Sequence, residues 1–130
     1  MKFTSFTALC SAVLPVALVT GSVIPRQERL VWAYNYKYEN GTLRGDITAR
    51  PMNCPTASRY PLIEVFWAAG ESWQETPIVA TRGGWHDSVG NPWYNFRGDA
   101  PDVTQFYLKL TCGDVISYNP GNFVNYQVQH

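Results

Sequence analysis

The feature that most constrains the fold is a strict alternation of apolar and polar residues between Gln105 and Leu110. Apolar side chains occupy every second position, at Phe106, Leu108 and Leu110. A period of two is typical of a β-strand with one buried and one solvent-facing side. The pattern therefore predicts a half-buried strand, and it places Tyr107 on the side that faces water.

Short strand patterns of this kind recur along the chain, and turn residues separate them. The segments with alternating or apolar patterns are 30–38, 43–49, 62–67, 77–81, 93–96, 103–110, 115–118 and a last one near the C-terminus. Segments 50–61 and 82–92 are rich in Pro, Gly, Asn or Asp and are predicted to be loops. Because there is no helical periodicity, we expect an all-β fold, an antiparallel immunoglobulin-like β-sandwich of about eight short strands.

Two features of the first two strands carry further predictions. Trp32, Tyr34, Tyr36 and Tyr38 recur at spacing two and are predicted to share one face, mainly as packing residues. Asn40-Gly41 follows, and this pair favours a type I′ hairpin turn because both central residues need a positive φ. The same residues begin the sequon Asn40-Gly41-Thr42, so Asn40 is a candidate for N-glycosylation.

The first 22 residues have the pattern of a secretory signal peptide. Lys2 precedes a mostly apolar run that ends near Thr20, and small residues follow at the predicted cleavage region. This apolar run is too short and too interrupted for a membrane span. The expected organisation is a signal peptide over residues 1–22 and a single domain over residues 23–130, secreted to the extracellular space as a monomer without a membrane segment.

Cysteine content agrees with secretion. Cys10 leaves with the signal peptide, and the mature chain keeps Cys54 and Cys112. Two cysteines in an oxidising compartment are expected to form a disulfide, with two buried free thiols as the alternative. Closing a loop of roughly 58 residues would stabilise the domain by about 4 kcal/mol in the chain-entropy model.

Charge and motifs argue against several functions. Acidic and basic residues balance and no basic run exists, so nucleic acid is not an expected partner. No catalytic motif, cofactor motif or metal-ligand spacing occurs; His86-Asp87 has no third partner. Glu71 and Glu75 flank Trp73 and would suit a hydrolase, which is the least favoured interpretation. We therefore expect a protein that is not an enzyme and holds no cofactor and no metal.

Several motifs together resemble a known family over nearly the whole mature chain. They are Tyr-Asn-Tyr at 34–36, Asn-Gly-Thr-Leu-Arg-Gly at 40–45, Val-Phe-Trp-Ala-Ala-Gly at 65–70 with Trp73, Trp-Tyr-Asn-Phe at 93–96, Phe-Tyr-Leu-Lys at 106–109, Tyr-Asn at 118–119 and Asn-Tyr-Gln-Val at 125–128. These stretches resemble the starch-binding carbohydrate-binding modules of family 21. That family includes the N-terminal module of some fungal glucoamylases.

The resemblance implies a site and a function. The main sugar site of the family would comprise three aromatic residues and polar residues of the following loop: Trp73, Tyr107, Tyr118, Asn119, Asn122 and Asn125. An aromatic plane packs against the apolar face of a sugar ring, and amides bind its hydroxyl groups. The implied function is non-catalytic binding of α-glucan, such as starch or glycogen, by aromatic stacking.

Two departures from the family pattern bear on this function. The chain has Asn119-Pro120-Gly121 where the family usually has a run like Asp-Asn-Asn, and the second sugar site of the family has no clear counterpart around Arg59–Tyr60 or Asn91–Trp93. The alternative is a secreted effector or surface interaction protein that keeps the fold but binds a protein or another glycan. That alternative predicts a larger aromatic patch that includes Trp85 and Trp93.

Overall fold

The computed structural model describes residues 29–130, so the predicted signal peptide and residues 23–28 lie outside the described part. The strands are β1 (Val31–Glu39), β2 (Thr42–Ala49), β3 (Leu62–Ala69), β4 (Ser72–Trp73), β5 (Ile78–Val79), β6 (Thr81–His86), β7 (Pro92–Asp99), β8 (Gln105–Cys112), β9 (Val115–Asn119) and β10 (Tyr126–Gln127). Residues 29–130 contain no helix, and so none that could cross a membrane.

The strands form two antiparallel sheets around one core. The larger sheet has the order β9-β8-β3-β4, with β10 also paired to β8 and β5 also paired to β3. The smaller sheet has the order β1-β2-β7-β6. The predicted antiparallel β-sandwich is confirmed. It has ten strands instead of about eight because two strands were not predicted: the two-residue β4, and β6, which lies where a loop was expected.

Strand β8 lies at the centre of the larger sheet and follows the predicted alternation. Phe106, Leu108 and Leu110 are fully buried in the core, whereas Tyr107 is partly exposed on the other side. Burying side chains of this size stabilises a fold by about 1.5–3 kcal/mol each. The neighbouring edge strand β9 is different, because it turns Ser117 and Asn119 inward and leaves Ile116 and Tyr118 exposed.

The prediction that four aromatic residues of β1 share one face is wrong. The register of β1 against β2 shifts between Tyr34 and Lys37, and Asn35 has a φ of 51°. A β-bulge adds a residue and reverses the alternation beyond it. Tyr36 and Tyr38 therefore pack against the core, whereas Tyr34 before the bulge is exposed.

The prediction of a loop over residues 82–92 is also wrong, since β6 is a strand up to His86. Strand β5 pairs with β3 in the larger sheet, and β6 pairs with β7 in the smaller one, so the chain changes sheet at Ala80. Pairing of β6 is irregular between Arg82 and His86. Glycines at 83 and 84 weaken the sequence signal of a strand, which explains the error.

The predicted hairpin turn and the predicted disulfide are both confirmed. Asn40 and Gly41 form the two-residue turn between β1 and β2, with φ angles of 53° and 79°. Cys54 and Cys112 form a disulfide with a Cα–Cα distance of 5.1 Å. The bond joins the loop before β3 to the end of β8.

Candidate functional site

An open cavity of about 680 Å³ lies on the solvent-facing side of the larger sheet. Its walls come from β4, β8, β9 and the loop between β9 and β10. The lining residues are Trp73, Tyr107, Tyr118, Gly121, Asn122, Phe123, Val124 and Asn125. Five of the six residues that the family resemblance selected therefore meet in one cavity, and Asn119 is the exception.

Tyr107 lies at the centre of the aromatic residues of this cavity. Its ring is stacked against Phe66 of the adjacent strand β3, with a centroid distance of 5.4 Å and an interplanar angle of 16°. On the same face of the sheet, the Tyr107 ring is 5.2 Å from the ring of Trp73 and 6.1 Å from that of Tyr118. Both outer rings are tilted relative to Tyr107 and remain substantially exposed. The three rings thus form a curved aromatic surface.

The position of Trp73 depends on a short hairpin at the end of β3. Gly70 has a φ of 63°, which allows the tight turn into β4, where Trp73 pairs with Ala68. The turn is anchored on the start of β8: the Gly70 N–H donates to Thr104 Oγ1 at 3.0 Å, and Gln105 Nε2 donates to the Gly70 carbonyl at 3.0 Å. Trp73 is therefore held against Tyr107 by a strand pair and not by an unsupported loop.

The loop between β9 and β10 is anchored at both ends. The Tyr126 hydroxyl accepts the Ala33 N–H at 2.9 Å and donates to Asn119 Oδ1. At the other end, Asn125 Nδ2 donates to Gln105 Oε1 at 2.9 Å. Asn119 is buried and does not line the cavity. Asn119 was expected in the cavity, but β9 turns its polar side inward. The Asn119 side chain therefore lies in the interior and holds the loop through its hydrogen bond with Tyr126.

The tip of this loop contributes residues that sequence analysis did not select. Gly121 and Val124 form an isolated antiparallel bridge, in which the Val124 N–H donates to the Gly121 carbonyl at 3.0 Å. Between them, Asn122 and Phe123 both have positive φ, 55° and 61°. Phe123 and Val124 are exposed and line the cavity. The sequence feature that could have selected Phe123 is an aromatic residue within an Asn-, Pro- and Gly-rich segment.

The cavity is uncharged. None of its eight lining residues carries a formal charge, since they are aromatic, aliphatic, glycine or asparagine residues. Burial is the main cause that raises the pKa of the Tyr107 hydroxyl, and the neighbouring Tyr118 and Glu64 add to it. Tyr107 is therefore neutral at physiological pH and can both donate and accept a hydrogen bond. Such a cavity suits a neutral ligand that has apolar faces and hydroxyl groups.

A second cavity, of about 720 Å³, lies on the other side of Trp73 and is more polar. Its lining includes Glu75, Arg97 and Asp99, whereas Glu71 lies outside both cavities. The two glutamates therefore do not face one another across a common cavity. Among residues 29–130, no group of three His, Cys, Asp or Glu side chains could hold a metal ion.

Trp85 and Trp93 lie in the smaller sheet and away from these two cavities. Their rings are 5.4 Å apart. Trp93 lies so close to Gly83 that a Cβ atom there would be 1.9 Å from the ring. The loop that follows Trp85 is held by Asp87, whose carboxylate accepts N–H groups of Val89 and Asn91 at 3.0 and 2.9 Å. The Asn91 backbone hydrogen bond is the main cause that lowers the Asp87 pKa.

Comparison with known proteins supports the fold assignment. No family model and no curated protein matches the chain. Among solved structures, the chain is similar to the starch-binding domain of Rhizopus oryzae glucoamylase in complex with β-cyclodextrin and maltoheptaose. The TM-score is 0.64 with 22% identity over 84% of this chain and 100% of that chain.

A circularly permuted CBM21, described in a study of altered selectivity on carbohydrate binding, is also similar. Its TM-score is 0.54 with 18% identity, over 75% of this chain and 88% of that one. The fold of residues 29–130 is therefore that of a CBM21-type β-sandwich, as the family resemblance implied.

Proposed function

We propose that the protein is a secreted, non-catalytic carbohydrate-binding module that binds α-glucan chains such as starch or glycogen. The observation that carries this proposal is the uncharged cavity in which Tyr107, Trp73 and Tyr118 form one curved aromatic surface. The similar glucoamylase domain was solved with β-cyclodextrin and maltoheptaose, which supports α-glucan as the ligand class. The predicted signal peptide and the Cys54–Cys112 disulfide support an extracellular location.

Binding would use the two chemical sides of a sugar ring. The apolar C–H face packs on an aromatic ring, and each such contact contributes about 1 kcal/mol by analogy with aromatic pairs. Hydroxyl groups at the ring edge would bind the side chains of the loop. Asn125 donates its amide N–H to Gln105, so its Oδ1 can accept a sugar hydroxyl. A single open site of this kind should bind with a Kd in the high micromolar to millimolar range, on the order of −4 to −6 kcal/mol.

A matched pair of variants on β9 tests the proposal. Tyr118 and Ile116 lie on the same side of this edge strand and are 52% and 53% exposed, but only Tyr118 lines the cavity. Mature protein is incubated with granular starch, and the bound fraction is measured with and without β-cyclodextrin as a competitor. We expect the wild type and Ile116→Ala to bind and to be released by the competitor, and Tyr118→Ala to bind about fivefold more weakly.

Two results would contradict the proposal. One is a folded wild type that does not bind starch. The other is equal binding by Tyr118→Ala and Ile116→Ala, because the cavity would then not be the site. Circular dichroism of each variant establishes that the fold is intact.

A further inference from the structure

Phe123 has an unusual combination of backbone conformation and exposure. Its φ of 61° lies in the left-handed region, which bulky side chains avoid because of a clash between Cβ and the backbone. Together with Asn122 it forms the two central residues of a type I′ turn between Gly121 and Val124. Asn suits the first of these positions, but Phe123 stands where glycine is favoured.

The strained conformation is not offset by packing. The Phe123 side chain is fully exposed, so folding removes none of its apolar surface from water. The hydrogen bonds of Asn119 and Asn125 hold both ends of the loop and fix the turn. A strained residue that the surroundings hold in place is a sign of a functional position. The free protein therefore keeps, at an energetic cost, an aromatic ring that contacts only solvent.

The location of the ring indicates its ligand. Phe123 lines the same cavity as Tyr107. The rings of Tyr107, Trp73 and Tyr118 form the floor of this cavity, and the Tyr107 ring also packs against Phe66. Phe123 is fully exposed and stands at the rim. A short oligosaccharide stacked on Tyr107, Trp73 and Tyr118 would occupy the floor alone. A longer chain that leaves the cavity across the loop would also meet the rim.

We propose that Phe123 is a fourth stacking residue, which makes the site selective for long α-glucan chains over short ones. This inference rests on the proposed function of the cavity. Glucans of any length would stack on the floor rings, and only the part of a longer glucan that extends beyond these rings would reach Phe123.

The experiment compares two ligands and two replacements. Phe123→Gly and Phe123→Asn keep the turn, because both residues accept a positive φ. Affinities for maltotriose and maltoheptaose are measured by tryptophan fluorescence or NMR titration, and the melting temperature is measured without ligand. We expect both variants to bind maltoheptaose about fivefold more weakly than the wild type, with maltotriose affinity unchanged. Relief of the strain should raise the melting temperature by about 4 °C.

The controls separate failure of this inference from failure of the proposed function. Tyr107→Ala should weaken the binding of both ligands. If the wild type binds maltoheptaose and both Phe123 variants bind it equally well, the role of Phe123 is refuted while the function stands. An equal loss for both ligands, or a melting temperature that does not rise, also overturns the inference. If the wild type binds neither ligand, the proposed function and the inference fall together.

Discussion

The two sheets each carry aromatic residues on their outer sides, but they use them differently. On the larger sheet, Trp73 and Tyr118 lie on either side of Tyr107 and leave a cavity between their rings and the loop. On the smaller sheet, Trp93 covers Gly83 and contacts Trp85, and neither tryptophan lines the two large cavities. Trp85 is 64% exposed, more than any ring at the floor of the first cavity.

Exposure alone is therefore a poor guide to a binding site. What distinguishes the larger sheet is that its aromatic rings surround an open space beside amide groups, whereas the Trp93 ring fills the space above a glycine. We interpret the first cluster as a binding surface and the second as packing that covers a sheet. The predictions below test this distinction.

The largest effect is expected when two floor rings are removed together. The double variant Trp73→Ala/Tyr107→Ala loses two stacking contacts, and we expect its affinity for maltoheptaose to fall about 30-fold. Trp85→Ala removes a more exposed ring from the other sheet and should leave this affinity within twofold of the wild type. Isothermal titration at high ligand concentration compares the two. A similar loss in Trp85→Ala would show that both sheets bind the glycan.

The next effect concerns stability, and it applies to the smaller sheet. In Gly83→Ala the new Cβ would lie 1.9 Å from the Trp93 ring, so the ring or the strand must move. Overpacking of this kind costs about 2 kcal/mol of unfolding free energy. Gly84→Ala is the control, because nothing lies within 4 Å of its added Cβ. Urea denaturation should show the loss in the first variant only, with the glucan affinity of both close to that of the wild type.

A smaller effect is expected from the Tyr126 hydroxyl, which holds the loop between β9 and β10. Tyr126→Phe removes the acceptor of the Ala33 N–H and the donor to Asn119. We expect a loss of about 1 kcal/mol in unfolding free energy together with a severalfold weaker affinity for maltoheptaose. Unchanged affinity in a destabilised variant would mean that the loop does not contribute to binding.

The smallest effect is that of pH on binding. Burial raises the pKa of Tyr107 above its ordinary value, and no Asp, Glu, His, Lys or Arg side chain lines the cavity, so affinity should be constant between about pH 5 and 9. Stability should decline above about pH 10, because burial also raises the pKa of Tyr126. In this pH range the unfolded chain has lost the Tyr126 proton that the folded chain still holds, so a rise in pH favours unfolding. Binding titrations and thermal melts at several pH values measure the two dependences; a steep change in affinity near pH 7 would contradict an uncharged site.

The sequence predicted those parts of the structure that depend on local patterns. The alternation around Tyr107 and the Asn40-Gly41 turn are such local patterns, whereas the disulfide was predictable because only two cysteines follow residue 22. The bulge at Asn35 was not predictable, because it depends on how β1 is aligned with β2. The role of Asn119 depends on Tyr126, and the conformation of Phe123 depends on a loop fixed from outside. Errors and omissions thus occur where distant residues decide a local conformation.

The hydrogen bond between the Tyr126 hydroxyl and the Ala33 amide joins residues that are 93 positions apart in the chain. Contacts of such large sequence separation form late in folding, because the long intervening segment must first be ordered. We therefore expect the loop beside the cavity to acquire its final shape only after the two sheets have assembled. A partly folded chain would then bury much of its core yet lack the complete cavity that we propose as the glucan site. Retention on starch would therefore select fully folded molecules, and it offers a direct functional test of folding during production of the protein.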